Sequence, residues 1–452
     1  MSNHRRFGDI ALVIATALAV AACADDDIDG FHEGEWATIS SLSPLPAPPP
    51  DPSNKFADDP GAAALGQMLF FDPSYSGPIL IGDDGQNGGL GPAGTPGLVA
   101  CASCHLGPWM IDTRSQPGHI SLGSGYVPRN ATSMVNAAYY VPWSENDGVR
   151  DSHWSKNMID LEADIGANTT RLALAHFMYE TYRAEYDAVF DQALPTALDP
   201  ADPDAARFPL AGKPGTPEWD GMTPADQALV TRIYVNYGKA LQAYERMLIS
   251  KNARFDRYVG QNFDQLDPAE KRGLGLFIGK AGCVRCHSGP AFTDNQFHNL
   301  GMVWMGENIT EDWEQGRFGG IEFLLADDHE FRADSEWSDD PENGAARLAT
   351  VPADRVDGTL VVDETTRGQW RTKSLRHVAE TAPYMHNGQF ATLREVVEFY
   401  NRGGDDAGYI GDKSPLMTPL DMSDDEIDDV VAFLGTLTGE EIPVELRTDT
   451  SR

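Results

Sequence analysis

The 452 residues are poor in cysteine, in positive charge and in long apolar runs. Only 34 lysines and arginines stand against 69 acidic residues, a formal charge of −35. Such a surface repels nucleic acid and anionic lipid and attracts cationic partners, small basic electron carriers among them. Solubility in a salty medium is the plainer reading of the same charge. The one apolar run of note, Ile10 to Ala22, is too short to span a bilayer comfortably. Strand signals are sparse and short, which turns the expectation toward helices. What is present is a hydrophobic fraction of 41% with 44 glycines, suited to a loop-rich globular protein of two or three domains.

Arg5 and Arg6 precede that apolar run, which ends in Val20-Ala21-Ala22-Cys23. A basic start, a short apolar core and small residues before a cysteine resemble a bacterial lipoprotein signal, in which residues 1–22 are removed and Cys23 is acylated. Ordinary secretion would leave Cys23 as a spare thiol, a liability in an oxidising compartment. The expectation is a periplasmic protein lipid-anchored to a membrane, inner or outer. After Cys23 come Asp25, Asp26, Asp27 and Asp29, then Pro44, Pro46, Pro48, Pro49, Pro50 and Pro52. That composition predicts a solvated tether over residues 23–55.

Helix starts are written in caps. Asp59-Pro60, Thr223-Pro224 and Asp267-Pro268 each open an apolar-periodic run, the second carrying Leu229, Ile233, Tyr237, Leu241, Tyr244 and Leu248 on one stripe to about Ser250. The third is expected to end at Gly282. Thr392 with Glu395, and Ser423 with Glu426, have capping-box spacing. Residues 306–366 are acidic, glycine-rich and poorly periodic, which predicts a long surface excursion. Gly66-Gln67-Met68-Leu69-Phe70 echoes Gly273-Leu274-Gly275-Leu276-Phe277, suggesting two related halves.

Each echo precedes a C-x-x-C-H: Cys101-Ala102-Ser103-Cys104-His105 and Cys283-Val284-Arg285-Cys286-His287. This spacing lets two thiols add to the two vinyl groups of a haem while the adjacent histidine reaches the iron. Zinc would need four ligands at each site, and a redox dithiol has no need of a histidine after both pairs. With Cys23 as the acylation site, none of the five cysteines is left unexplained. The expected cofactors are two covalently bound haems c, with His105 and His287 as proximal ligands. Nine further histidines exist, and spacing does not choose a distal ligand among His119, His153, His298, His377 and His386.

Further stretches carry a resemblance. They are Leu65-Gly66 through Leu69-Phe70-Phe71-Asp72-Pro73, Pro128-Arg129-Asn130-Ala131, Phe297-His298-Asn299-Leu300-Gly301, and Thr381-Ala382-Pro383-Tyr384-Met385-His386-Asn387-Gly388 running on to Tyr400-Asn401-Arg402-Gly403-Gly404. Together with both cysteine motifs, from Phe56 to Gly439, the chain resembles the bacterial di-haem cytochrome c peroxidase/MauG family. The resemblance implies a mostly α fold with two cytochrome-c-like haem domains, residues 56–255 (peroxidatic haem) and 256–440 (electron-transfer haem), and a tail at 441–452. It further implies a calcium ion between the haems, held by the Asn130 side chain and the Thr381 and Pro383 carbonyls, hard oxygen donors of the right kind. The second haem's distal ligand falls at Tyr400, a phenolate that lowers the potential relative to methionine. Met417 and Met422 are the alternatives, Tyr400 then being a packing aromatic.

The match departs from the family at the first haem. Ser124 stands where a switchable histidine ligand is usual, so an open first iron is expected, with His119 the other candidate. Asn146 stands where tryptophan is usual between the haems, leaving Trp143 or Trp154 as relays, and Lys156 replaces a pocket glutamine. The distal acid/base falls at Asp164 if two residues are deleted, or at Glu162. The expected partners are hydrogen peroxide and either a small donor cytochrome or cupredoxin, or a protein substrate. A non-enzymatic electron-transfer or redox-sensing protein is the alternative that Asn146 and Lys156 motivate.

Overall fold

The computed structural model describes residues 27–452 apart from 84, 87 and 307, so the expected signal and Cys23 lie outside the described residues. The helices that frame the molecule are α1 (Glu33–Ser41), α2 (Pro60–Phe71), α3 (Arg171–Val189), α4 (Pro224–Glu245), α5 (Pro268–Ile278), α6 (Leu393–Asn401) and α7 (Asp424–Gly435). Caps start them where the sequence places them. Asp59, Thr223, Asp267, Thr392 and Ser423 each accept a hydrogen bond from a backbone amide of the first turn. Their ends come earlier than the apolar periodicity suggests. α4 stops at Glu245 because the chain turns to pair Ser250 with Asn136, and α5 stops where Gly279 leaves helical dihedrals. α3 is additional to the expected set; Thr170 caps it, and non-helical Tyr182 kinks it.

Two crossings organise the halves in the same way. In the first, α2 lies so close on α4 that a Cβ on Gly66 would stand 2.0 Å from the Ala240 carbonyl oxygen. In the second, α5 crosses α7, and a Cβ on Gly273 would stand 1.9 Å from the Asp429 carbonyl oxygen. One aromatic pair closes each crossing, Phe70 with Tyr244 at 5.1 Å and Phe277 with Phe433 at 5.2 Å between ring centroids. The echoed pentapeptides are therefore equivalent contact surfaces, and only glycine permits that approach. α4 is buried along nearly its whole length. Strands are few: Phe297–His298 pairs with Trp370–Arg371, and Ala353–Val356 forms a hairpin with Thr359–Val362.

One expectation is corrected. Residues 27–55 are not a solvated tether: Phe31, Ile39 and Leu42 are buried in the core of the second half, where Ser43 donates to Asp256 at 2.7 Å. The chain then crosses to the first half, where Gln242 donates to Asp51 (2.6 Å) and Asn54 donates to the Lys239 carbonyl (3.1 Å). Burying such apolar side chains stabilises by about 1.5–3 kcal/mol each, which outweighs the solvation preference of the acidic residues between them. The tail at 441–452 packs back on the molecule, with Ile442 in the core of the first half and Gln67 donating to the Glu445 and Thr448 carbonyls at 2.6 and 3.0 Å. The excursion at 306–366 packs Phe318, Ile321, Leu324, Val351 and Val362 into a small core with Trp143 of the first half.

Candidate functional site

Both cysteine motifs fold into one turn. A single 3-10 turn spans Cys101–Ser103 and another Cys283–Arg285, and each histidine amide returns to the carbonyl of the first cysteine, at 3.1 and 2.9 Å. The chain then doubles back through Gly107 or Gly289 to a non-glycine residue with positive φ, Met110 (49°) or Phe292 (52°). That residue's carbonyl faces the histidine Nδ1, at 3.3 Å for His105 and 3.1 Å for His287. Tying Nδ1 to a carbonyl fixes the tautomer and leaves Nε2 free for a metal. Burial, with Lys156 nearby, pushes His105 down to about 4, and burial also lowers His287, so both rings are neutral as iron ligation requires. Paired thiols beside an oriented imidazole fit a covalently held haem at each turn.

The second turn opens on a cavity of about 450 Å³ lined by Cys283, Cys286, His287, Tyr400, Met302, Met385, Met417 and Met422. Tyr400 projects from α6, and among the described residues its hydroxyl has no protein hydrogen-bond partner; burial pushes its phenol up. The structure thus brings Tyr400 and both competing methionines to one cavity with His287. His298, beside the same turn, is held by Asp294 at 2.9 Å.

The first turn has ionisable groups around it. Lys156 lies 3.6 Å from Glu245, and Glu145 and Asp160 are within electrostatic reach. Burial lowers Lys156, but Glu245 and Glu145 outweigh it and hold the ammonium charged. Burial, reinforced by Glu145, pushes Asp160 up to about 6, and Asp160 also acts on both Cys101 and Cys104. Burial raises Glu145 too, yet Lys156, Lys373 and Arg371 more than offset it and keep its carboxyl below the usual range.

The expected acid/base residues are elsewhere. Asp164 is on the surface, 74% exposed and 3.6 Å from Lys213. Glu162 is bound by Arg171 at 3.0 Å, balancing a guanidinium packed against the Trp219, Tyr234 and Phe331 rings. The Asp160 carbonyl closes the intervening loop by accepting from Ala167 at 2.7 Å, so the loop's inner end, Asp160, is the one near the turn. Asp160, Glu145 and Glu245 escaped the sequence reading because alignment gaps, and not chemistry, pointed to 162 and 164.

Ser124 is fully buried, donating to the Pro78 carbonyl (3.1 Å) and accepting from the Leu80 amide (3.2 Å), which ties its hydroxyl to a loop. Asn146 lines the second cavity. Neither expected relay reaches that cavity: Trp143 packs beneath Arg317 in the excursion's core, and Trp154 is sealed in the core of the first half. Two other tryptophans stack on histidines that line it, Trp109 on His377 and Trp370 on His386, at 5.4 and 3.7 Å. Asn130, Thr381 and Pro383 all line the same cavity, with the Asn130 amide 2.6 Å from the Pro383 carbonyl. Turning that amide over would set two oxygens side by side, a donor pair that fits a hard cation.

A family model described as di-haem cytochrome c peroxidase matches residues 60–264. The cytochrome-c peroxidase IdrP1 of Pseudomonas sp. (strain SCT) is 28% identical over 453 residues, covering 97% of this chain and 94% of its own. The methylamine utilization protein MauG of Methylorubrum extorquens is 26% identical over 389 residues, covering 86% of this chain and 81% of its own. Among solved structures, a MauG-like protein associated with microbial copper homeostasis has the same fold, with a TM-score of 0.57 at 23% identity over 90% of this chain and 98% of that one. The duplicated attachment turn and these likenesses agree: residues 60–264 match the di-haem cytochrome c peroxidase model, and nearly the whole chain is similar to cytochrome c peroxidase and MauG oxidoreductases.

Proposed function

We propose that the chain reacts with hydrogen peroxide at the first site and draws electrons through the second, from a small cytochrome or cupredoxin or from a side chain of a protein substrate. The observation that carries this reading is the unequal surroundings of two equal turns. Carboxylates and an ammonium stand around the first, while Tyr400 and methionines share the second. Haem bound at the two turns would supply an iron that cleaves peroxide and an iron that exchanges single electrons.

The protein's own groups set those roles. His105 and His287 would ligate the two irons through Nε2. Asp160 accepts a proton from one peroxide oxygen and returns it to the other, while charged Lys156 steadies the anion between the two transfers. Tyr400 would supply an oxygen ligand to a metal at the second site, since burial keeps its proton until a metal takes its place. Asn130, Thr381 and Pro383 would hold calcium. Acylation at Cys23 keeps the protein on the periplasmic face of a membrane.

The test is the optical spectrum of the holoprotein, both haems loaded, before and after stoichiometric hydrogen peroxide. A rapid change that persists and reverses on adding reductant is expected. An unchanged spectrum would overturn the peroxide reading and leave an electron carrier or sensor.

A further inference from the structure

We infer that electrons pass between the two sites through Trp109 and His377, on the proximal side of the first site. This deepens the proposed function but rests only on its two redox centres, not on peroxide chemistry.

Electrons cross a protein through whatever matter joins the centres, and bonds, hydrogen bonds and stacked rings carry them better than gaps. One continuous connection is visible. His105 Nδ1 meets the Met110 carbonyl at 3.3 Å, and Met110 is bonded to Trp109. The Trp109 ring lies on the His377 imidazole, 5.4 Å between centroids and 15° between planes. His377 in turn lines the cavity of Cys283, Cys286 and His287. The path leaves the first site through its own ligand and arrives at the wall of the second.

The stack is held in place. The Ser133 hydroxyl donates to the Trp109 carbonyl at 2.6 Å and faces His377 Nε2 at 3.3 Å. His377 is 3% exposed with φ of 51°, a strained conformation for a non-glycine residue. Its Nδ1 is buried without a hydrogen-bond partner among the described residues, a further cost to stability. An apolar side chain would pack there at less cost, so packing does not explain an imidazole. Burial pushes His377 down to about 3, so the ring is neutral and adds no charge to the path.

The competitors lead elsewhere. Trp143 and Trp154 end in separate cores. Trp370 is sandwiched by His386 and Arg129, whose partner is Glu314. Each passage moves one electron from the iron of the second site to that of the first. Trp109 and His377 are unchanged afterwards, and no proton moves.

The experiment uses the holoprotein with both haems loaded and no peroxide. A reducing pulse delivers less than one electron per molecule, and the redistribution between the two haem spectra is timed. Trp109→Leu and His377→Leu should each slow redistribution at least severalfold, and the double variant should be no slower than the slower single, because they share one route. Trp109→Phe, which keeps a stacked ring, should recover most of the rate, and Trp143→Leu should change nothing. The iron–histidine vibration of the first site reports whether His105 has stayed in place. Unchanged rates in both leucine variants, slowing accompanied by a shifted vibration, slowing by Trp143→Leu, or no redistribution in the unaltered protein would overturn the inference. If Trp109→Leu fails to assemble, His377→Leu decides from the other end of the stack.

Discussion

In the first half, the histidine of the attachment turn lies within electrostatic reach of Lys156 and Glu145, with Asp160 close to its cysteines. In the second half, the matching histidine shares its cavity with Tyr400, Met417 and Met422. The supports are nearly identical: a 3-10 turn, a carbonyl on Nδ1, a positive φ five residues on, and a glycine-mediated helix crossing. The scaffold that presents a haem is thus separable from the side chains that decide its use. Repetition preserved the first and not the second.

The sharpest way to break that likeness is at the crossings. Gly66→Ala and Gly273→Ala each push a methyl into a backbone carbonyl, an overpacking worth about 1–3 kcal/mol that exceeds the helix propensity gained. Thermal unfolding should register similar losses for the two. Gly275→Ala, two residues from Gly273, meets only the Phe31 ring at 3.6 Å and should be neutral or slightly stabilising. A loss confined to one half would show that the crossings are not equivalent.

Tyr400→Phe tests the difference instead. It should change the spin state and potential of the second haem and leave the first untouched. An unchanged spectrum would transfer the ligand role to Met417 or Met422. The smallest effect is a pH profile. Because Asp160 is raised to about 6, the base form is present above that value. The rate of peroxide consumption should therefore rise as pH increases through about 6, and Asp160→Asn should flatten the rise. A profile that Asp160→Asn leaves unaltered would return the proton to Glu145 or Glu245.

The features readable from sequence are local ones. Cap residues and C-x-x-C-H are short-range chemistry, so Asp59, Thr223, Asp267, Thr392 and both turns fall where they are expected. The Gly66 and Gly273 echo is visible in the sequence, but its reason is not, since crossing partners as distant as Ala240 and Asp429 leave no local mark. Asp160 was hidden for a related cause. Which carboxylate faces a site depends on the loop that Ala167 closes, and counting along the chain cannot show that. Composition misled at the amino end, where acidic and proline-rich averages masked single apolar anchors such as Phe31 and Ile39.

Those anchors carry a consequence for assembly. The leading segment is seated on the trailing half, and the closing segment on the leading half. A chain that emerges from its amino end cannot finish its first half until Ile442 has arrived, although Cys101 and Cys104 are exposed to attachment long before. Maturation of the two halves is therefore interlocked in time, and cutting away the last dozen residues would injure the half made first.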